Sequence, residues 1–307
     1  MQPAPPHPCQ RRSPPPIRLT PRDRDLIDAV HSYRALRRDQ VQRLFFPSKN
    51  TANARLQRLQ QHGYLARRRL PVEYGQGSGQ WLYMLARRGA QLVAQAEGIG
   101  IEEIGWRRSQ CHVSSMFLEH RLMVNDIRIA MALATKQTGA RIERWLREED
   151  LKKQPDRVWI ASRRGRRRRV ALIPDAYCTL AEDDRRAHFF LEADRATESN
   201  GRWSQKVEAY LAYIRSGGYA RRYGSNCLRV LTVTTGEKRL HNLMRSTQRV
   251  GGGAMFWFAT LGQTRPETIL KAPIWWIAGQ EAPSALLSPG PAAATVPMGS
   301  PILLYRS

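Results

Sequence analysis

Carboxylates interrupt two apolar segments in the second half of the chain, and this pattern limits most strongly what that half can fold into. In VALIPDAYCTL, Asp175 follows Pro174 within an apolar run, and in AHFFLEADRATES, Glu192 and Asp194 end another. Short apolar runs predict buried strands, and because side chains alternate along a strand, Glu192 and Asp194 share one face. Burying carboxylates together is costly unless a cation or hydrogen bonds compensate, so the three acids predict a site.

A hard divalent cation would compensate this acidic cluster, because Mg²⁺ takes carboxylate oxygens and keeps waters for a phosphate substrate. We therefore predict Asp175, Glu192 and Asp194 as metal ligands, and Mg²⁺ as the cofactor if the site is active. The next predicted helix, RWSQKVEAYLAYI, places Lys206 and Tyr210 along one polar edge. An ion-pair network, in which Lys206 and nearby arginines neutralise the acids, is the alternative.

Three short helices and a hairpin are predicted in the first half of the chain. Thr20 is placed to cap the first helix, the second stops at Pro47, and Ser48 caps a third that ends at His62. Two strands around a Gly-rich turn follow, and then a helix over residues 87–97. This order is that of a winged helix-turn-helix, in which the third helix enters the major groove of DNA.

Residues suited to contacts with bases or phosphates cluster on the third helix and on the hairpin. Arginine, lysine and asparagine side chains pair with base edges and phosphate oxygens. The candidates are Lys49, Asn50, Asn53, Arg55 and Arg58 on the helix, and Arg67, Arg68 and Arg69 on the hairpin. We expect these residues to bind double-stranded DNA. A winged helix used for protein contact is the alternative.

The net charge of +24, from 50 Lys+Arg against 26 Asp+Glu, indicates a polyanionic partner. Its densest part is an arginine run just before Asp175, made of Arg163, Arg164, Arg166, Arg167, Arg168 and Arg169. We predict that this run is a phosphate clamp that delivers DNA to Asp175. A solvated loop without fixed contacts is the alternative.

The remaining composition excludes several classes of protein. No apolar run is long enough for a transmembrane helix, and the opening MQPAPPHPCQRRSPPP lacks the apolar core of a secretory signal. The four cysteines include no C-x-x-C pair, so neither a zinc site nor a disulfide scaffold is indicated. These features predict a cytoplasmic protein with no membrane partner.

The predicted elements divide the 307 residues into two domains flanked by two tails. We expect a disordered Pro-rich tail at 1–18, a winged helix domain at 19–110, a second domain at 111–280 and a flexible tail at 281–307. The second domain opens with a long amphipathic helix and then mixes strands with helices. This predicts an α+β or α/β fold with a mixed β-sheet flanked by helices.

The acidic strands and the helix after them resemble a known nuclease fold. A strand with PD, a strand with E-x-D after 16 intervening residues, and a helix with lysine and tyrosine are similar to the PD-(D/E)xK pattern. Preceded by a winged helix, and with HRLMVNDIRIA, PDAY and FLEADRATES, the chain resembles the replication-relaxation family of plasmids and integrative elements. The resemblance covers about residues 19–235. The family implies a DNA-binding accessory protein of mobile-element replication, relaxation or mobilisation, working with a relaxase or a replication initiator.

The nuclease resemblance also implies roles for Asp175, Glu192 and Lys206. Asp175 would be the metal-bridging acid and Glu192 the second ligand. Where the pattern has lysine this chain has Asp194, so Lys206 on the next helix would orient the attacking water. Two hypotheses follow: a degenerate nuclease-like domain that only binds, or a Mg²⁺-dependent DNA nuclease or nickase. A winged-helix transcriptional regulator is a third, and the oligomeric state stays open, a homodimer included.

Overall fold

The computed structural model describes residues 16–70, 79–107, 115–161 and 166–287. The chain divides into two compact units, residues 1–122 and 123–307. The predicted boundary lies near residue 110, whereas the division falls inside a long helix, because the first turns of that helix, up to Leu122, belong to the first unit. Leu118 and Leu122 there lie in one cluster with Leu82 and Met84.

The described part of the first unit contains short helices around a three-stranded sheet of order β1-β3-β2. Its elements are α1 (Pro21–Tyr33), β1 (Leu36–Arg37), α2 (Arg38–Phe45), α3 (Lys49–Gln61), β2 (Leu65–Arg69), β3 (Trp81–Leu85) and α4 (Arg87–Glu97). Thr20 and Ser48 cap α1 and α3 through their side chains, as the sequence predicts. The three helices, the hairpin and the fourth helix follow the predicted order. The Gly-rich turn itself falls largely outside the described residues.

The second unit is built on a mixed β-sheet, which confirms the predicted fold class. Its elements, starting with the helix that crosses the boundary, are α5 (Ser115–Thr135), β4 (Arg141–Arg147), α6 (Glu148–Lys153), β5 (Asp156–Ala161), β6 (Arg167–Leu172), β7 (Ala176–Glu182), β8 (Arg185–Asp194), α7 (Asn200–Arg215), α8 (Gly218–Tyr223), β9 (Arg229–Thr234), α9 (Glu237–Arg249), β10 (Phe256–Thr260), β11 (Trp275–Ile277) and β12 (Pro283–Ser284). Within residues 115–161 and 166–287, seven strands form one sheet of order β12-β11-β10-β9-β8-β7-β4. The pairs β8–β9 and β9–β10 are parallel, and the others are antiparallel.

Each face of this sheet carries its own apolar core. On one face, α5 packs Met123, Ile127 and Met131 against alternate strand residues such as Leu191. On the other face, α7, α9 and the hairpin β5–β6 pack against strand residues such as Phe190. Because Glu192 has the same parity in β8 as Phe190, its side chain faces α7.

One strand and one boundary of the second domain differ from the predictions. The segment 170–180 is not one strand: β6 ends at Leu172 and β7 begins at Ala176, so Asp175 lies in the bend between them. At the far end, Pro283–Ser284 pairs with β11 and Leu286 is buried, so the ordered chain continues past the predicted limit at 280. The predicted tails at 1–18 and 281–307 lie mostly outside the described residues.

Candidate active site and nucleic-acid interface

Asp175 is held beside β8 by two hydrogen bonds to the backbone of that strand. Its amide donates to the carbonyl oxygen of Leu191 over 3.0 Å, and its Oδ2 accepts from the amide of Ala193 over 2.7 Å. These two bonds bracket Glu192 in the sequence. The bend after Pro174 therefore places a carboxylate next to Glu192, as the sequence predicts for neighbouring strands.

Glu192 is buried and hydrogen-bonded at both carboxylate oxygens. Its side chain is 3 % exposed, and Oε2 accepts from Nζ of Lys206 over 2.7 Å. Oε1 accepts from the hydroxyl of Tyr210 over 2.5 Å. Lys206 and Tyr210 are one helical turn apart on α7, so a single helix supplies both partners. The structure thus brings Asp175, Glu192 and Lys206 together.

Burial and charge set the protonation behaviour of this group. Burial raises the pKa of Glu192 to about 7, with Lys206 acting against the shift and Asp175 adding to it. Burial lowers the pKa of Lys206, but the two nearby carboxylates outweigh it and the net shift is upward, so the ammonium stays charged. Tyr210 has a pKa well above its ordinary value because it is buried beside Glu192. The group therefore holds one cation between two acids, one of which titrates near neutrality.

Asp194 shares the strand face of Glu192 but binds different partners. Nε and Nη2 of Arg239 donate to Oδ2 and Oδ1 of Asp194 over 2.8 and 2.9 Å, and Thr234 donates over 2.7 Å. Arg239 also bonds the carbonyl oxygen of Glu198 over 2.6 Å. The structure therefore does not group Asp194 with Asp175 and Glu192 but places it in an ion pair. Sequence reasoning missed Arg239, which lies 45 residues away on α9.

A metal ion requires several oxygen or nitrogen donors around one point. Among residues 16–70, 79–107, 115–161 and 166–287, no group of three or more His, Cys, Asp or Glu side chains is arranged to hold an ion. The three-carboxylate set is not assembled because Arg239 holds Asp194. Asp175 and Glu192 are two hard oxygen donors close to each other, and Mg²⁺ is commonly bound by one or two carboxylates plus waters and substrate phosphates. These two residues fit that ion, and the metal site stays a prediction.

The third helix of the first unit presents polar side chains outward. Ala52, Leu56 and Leu59 are fully buried. The opposite face is exposed and carries the predicted candidates Lys49, Asn50, Asn53 and Arg58. Four of the five helix candidates therefore lie where a partner can reach them.

Arg55 corrects the prediction for this helix, because it is bound inside the unit. Its guanidinium forms a two-pronged ion pair with Asp23, a carboxylate that is 1 % exposed, and also donates to the carbonyl oxygen of Arg18 over 3.0 Å. Burial raises the pKa of Asp23, but hydrogen bonds from Arg55 and Thr20 outweigh it, so the net shift is downward. Arg55 thus joins α3 to α1, and its donors are not aimed at a ligand.

The hairpin candidates lie around one tryptophan. The guanidinium carbons of Arg67 and Arg69 stand 4.4 and 4.7 Å from the ring centroid of Trp81, and both arginines are exposed. Arg68, between them, points to the other face of the strand and is half-buried. The exposed arginines of the hairpin therefore stack on the ring of Trp81.

The arginine run before Asp175 is partly a strand. Arg163 and Arg164 lie outside the described residues, Arg166 is exposed, and Arg167, Arg168 and Arg169 belong to β6. Arg168 donates to Oε1 of Gln205 on α7 over 2.7 Å. From Arg167 on, the run is therefore not the predicted loop but the strand β6 of the hairpin β5–β6.

Comparisons with known proteins place the chain in a family. Within the described residues no helix has the length and apolar character needed to cross a membrane. No curated protein matches the chain. Among solved structures it is similar to the restriction endonuclease FokI, at 10 % identity and a TM-score of 0.29, over 79 % of this chain and 42 % of that one. The chain thus spans less than half of that endonuclease, and such a TM-score does not establish a common fold. The model of the replication-relaxation family matches residues 27–228, and the chain belongs to this family.

Proposed function

We propose that this protein is a DNA-binding accessory protein of plasmid or integrative-element replication, relaxation or mobilisation. The first unit would be a winged helix-turn-helix, with α3 in the major groove and the hairpin β2–β3 as its wing. The second unit would be a PD-(D/E)xK-like domain. Its partners would be double-stranded DNA and a relaxase or a replication initiator in the cytoplasm. The family match over residues 27–228 supports the general role.

The observation that carries the DNA-binding proposal is the exposed face of α3. Asn50, Asn53 and Arg58 are exposed on it, on a helix whose other face is buried in the unit. Nη2 of Arg58 also donates to the carbonyl oxygen of Pro16 over 3.4 Å. Asparagine and arginine side chains read adenine and guanine edges through paired hydrogen bonds. The exposed arginines of the neighbouring strand β2 suit phosphate oxygens. These features together match the division of labour between base readout and backbone contact in DNA-binding domains.

Footprinting on a duplex selected from a random pool tests this proposal. We expect the triple variant N50A/N53A/R58A to lose the discrete footprint and to bind that duplex about tenfold or more weakly. Arg24→Ala is the matched control, because Arg24 is an exposed arginine on α1 and its loss removes the same charge. Retention of the footprint by the triple variant would exclude α3 as the reading surface. If the selected sequence lies in a promoter and no plasmid-processing partner co-purifies, a transcriptional regulator would be favoured.

A second candidate function is a Mg²⁺-dependent DNA nuclease or nickase. It is favoured by the grouping of Asp175, Glu192 and Lys206, with Nζ of Lys206 2.7 Å from a Glu192 oxygen. Asp175 and Glu192 would hold the ion, which when bound polarises a phosphate and lowers the pKa of a water. Lys206 would orient the attacking water in place of the lysine of the nuclease pattern. Tyr210 would hold Glu192 in position through the hydrogen bond from its hydroxyl to Oε1.

Plasmid cleavage separates the two functions. Under Mg²⁺ or Mn²⁺, a nuclease would nick supercoiled plasmid, and Asp175→Asn and Glu192→Gln would abolish nicking. Asp184→Asn is the matched control, because Asp184 is an exposed acid in the same unit. Intact plasmid with the wild-type protein would reject the nuclease and leave a degenerate domain that binds. Nicking by all variants alike would indicate a contaminating activity.

A further inference from the structure

The hairpin β5–β6 of the second unit carries an exposed tryptophan on a basic surface. Trp159 is 56 % exposed, more than any other aromatic side chain in the described residues. An indole ring normally loses most of its surface on folding, because burying it is strongly favourable.

The strand register determines which residues surround Trp159 on this surface. Trp159 lies opposite Arg169, Arg157 opposite Ala171, and Ala161 opposite Arg167. These six residues share the outer face of the hairpin, and all six are exposed. The face therefore consists of one indole ring, three guanidinium groups and two small residues that leave the ring uncovered. Its six positions carry no acid.

The other face of the hairpin fixes this surface in place. Val158, Ile160 and Leu172 are buried in the core that contains Tyr210 of α7. Arg168 bonds Gln205 of α7, as described above. At the start of β5, Arg222 donates to Oδ2 of Asp156 over 2.7 Å and to the carbonyl oxygen of Gln154 over 2.6 Å. The outer face is thus presented by a hairpin anchored along its length.

The charges of the outer face are available to a ligand. Arg157, Arg167 and Arg169 take part in none of the ion pairs formed among the described residues of the unit. Unpaired guanidinium groups around a bare aromatic ring suit a ligand that combines phosphates with flat rings. Bases have that geometry only where they are unpaired, because in a duplex their faces are stacked on each other.

We propose that the outer face of β5–β6 binds single-stranded DNA, with Trp159 stacking on an unpaired base and Arg157, Arg167 and Arg169 contacting the flanking phosphates. An anionic membrane is a poorer fit, because membrane-surface elements need an extended apolar face and this one has a single ring between alanines. β6 leads through two residues to Asp175. A strand bound on the hairpin would therefore start close to the candidate active site. The inference rests on the proposed DNA-related function and specifies the form of DNA.

Fluorescence anisotropy with two probes tests this site. The probes are a fluorescein-labelled oligothymidine of about 15 nucleotides and a labelled duplex of the same length. We expect Trp159→Ala to weaken oligothymidine binding about tenfold and Trp159→Phe to weaken it less than about threefold, because phenylalanine keeps a stacking ring. Arg167→Ala should weaken it and flatten its salt dependence. Arg185→Ala, which removes another exposed arginine of the unit, is the control and should have little effect.

The outcomes separate this inference from the broader proposal. Wild-type oligothymidine affinity in Trp159→Ala, or an equal loss for Trp159→Phe and Trp159→Ala, would overturn the stacking site. An unchanged oligothymidine affinity combined with lost binding to phosphatidylserine vesicles would assign the face to membranes and also overturn it. Duplex binding is judged separately, by the α3 variants. Circular dichroism of Trp159→Ala should match that of the wild type, because Trp159 is 56 % exposed and lies outside the core.

Discussion

Glu192 and Asp194 are two acids on one face of one strand, yet the fold treats them differently. Asp194 is clamped by both arms of Arg239 and by Thr234. Glu192 faces a lysine, a tyrosine hydroxyl and a second acid, Asp175. A planar guanidinium matches a carboxylate along two parallel bonds, whereas an ammonium is a point charge that several acids can share.

The difference indicates which acid is structural and which is available for chemistry. Asp194 and Arg239 join β8 to α9 and to the loop before α7, so their pairing fastens three elements. Glu192 keeps a pKa of about 7 because burial and Asp175 oppose its ionisation. Perturbed acids of this kind cluster at functional sites. The contrast can be tested by substitutions at the Asp194–Arg239 pair and by substitutions around Glu192.

The largest effect is expected from breaking the structural pair. Arg239→Met should leave Asp194 buried without its main partner and lower the free energy of unfolding by about 3–5 kcal/mol. Arg239→Lys keeps the charge but loses the paired geometry, so its loss should be smaller. Urea unfolding at pH 7 measures both. A loss of unfolding free energy below about 1 kcal/mol for Arg239→Met would mean that the ion pair contributes little to the stability of the unit.

A smaller effect is expected when Glu192 loses its cation. Lys206→Met should cost about 1–3 kcal/mol at pH 7, because the carboxyl can take up a proton and stay hydrogen-bonded to Tyr210. The cost should shrink at pH 5.5, where Glu192 is already largely protonated. Urea unfolding at the two pH values checks this. A cost that is the same at both would show that Glu192 does not titrate in this range.

The next prediction concerns the second acid. Asp175→Asn should lower the pKa of Glu192, because a negative charge is removed while an oxygen remains to accept from the Ala193 amide. In the wild type, the folded-state pKa of about 7 lies above the ordinary value of 4.5. The stabilisation from this group is therefore fully present below pH 4.5 and is lost as the pH rises through 7. Asp175→Asn should flatten that loss, and carboxyl ¹³C NMR gives the pKa directly. An unchanged pKa would contradict the charge coupling.

The smallest effect is expected for the tyrosine. Tyr210→Phe removes one hydrogen bond to Glu192, which should raise the pKa of that carboxyl further and cost about 0.5–1.5 kcal/mol. The same NMR titration and urea unfolding measure both changes. Tyr64→Phe is a control, because Tyr64 is a partly exposed tyrosine in the other unit. A lowered pKa in Tyr210→Phe would mean that the hydroxyl does not stabilise the ionised form.

Much of the fold and part of the site could be predicted from the sequence. Capping residues and helical spacing located α1 and α3, and apolar runs located β7 and β8. The grouping of Asp175, Glu192 and Lys206 follows from neighbouring strands and the next helix. The bend at Asp175 and the hairpin β5–β6 were not predicted, because an arginine-rich strand lacks the usual apolar signal on its outer face.

The sequence by itself determined which residue types stand near each other along the chain: the acids at the strand ends, the lysine and tyrosine one turn apart, and the basic helix face. Only the tertiary structure decided how the charges pair. Arg55 is taken up by Asp23 on another helix, and Asp194 by Arg239, 45 residues away. The sequence offers each charged side chain many residues of opposite charge as partners. Only the packing of distant elements determines which of them lies within hydrogen-bonding distance. The same packing leaves Trp159 exposed. The alternating sequence of its strand predicts only which face of the strand Trp159 lies on.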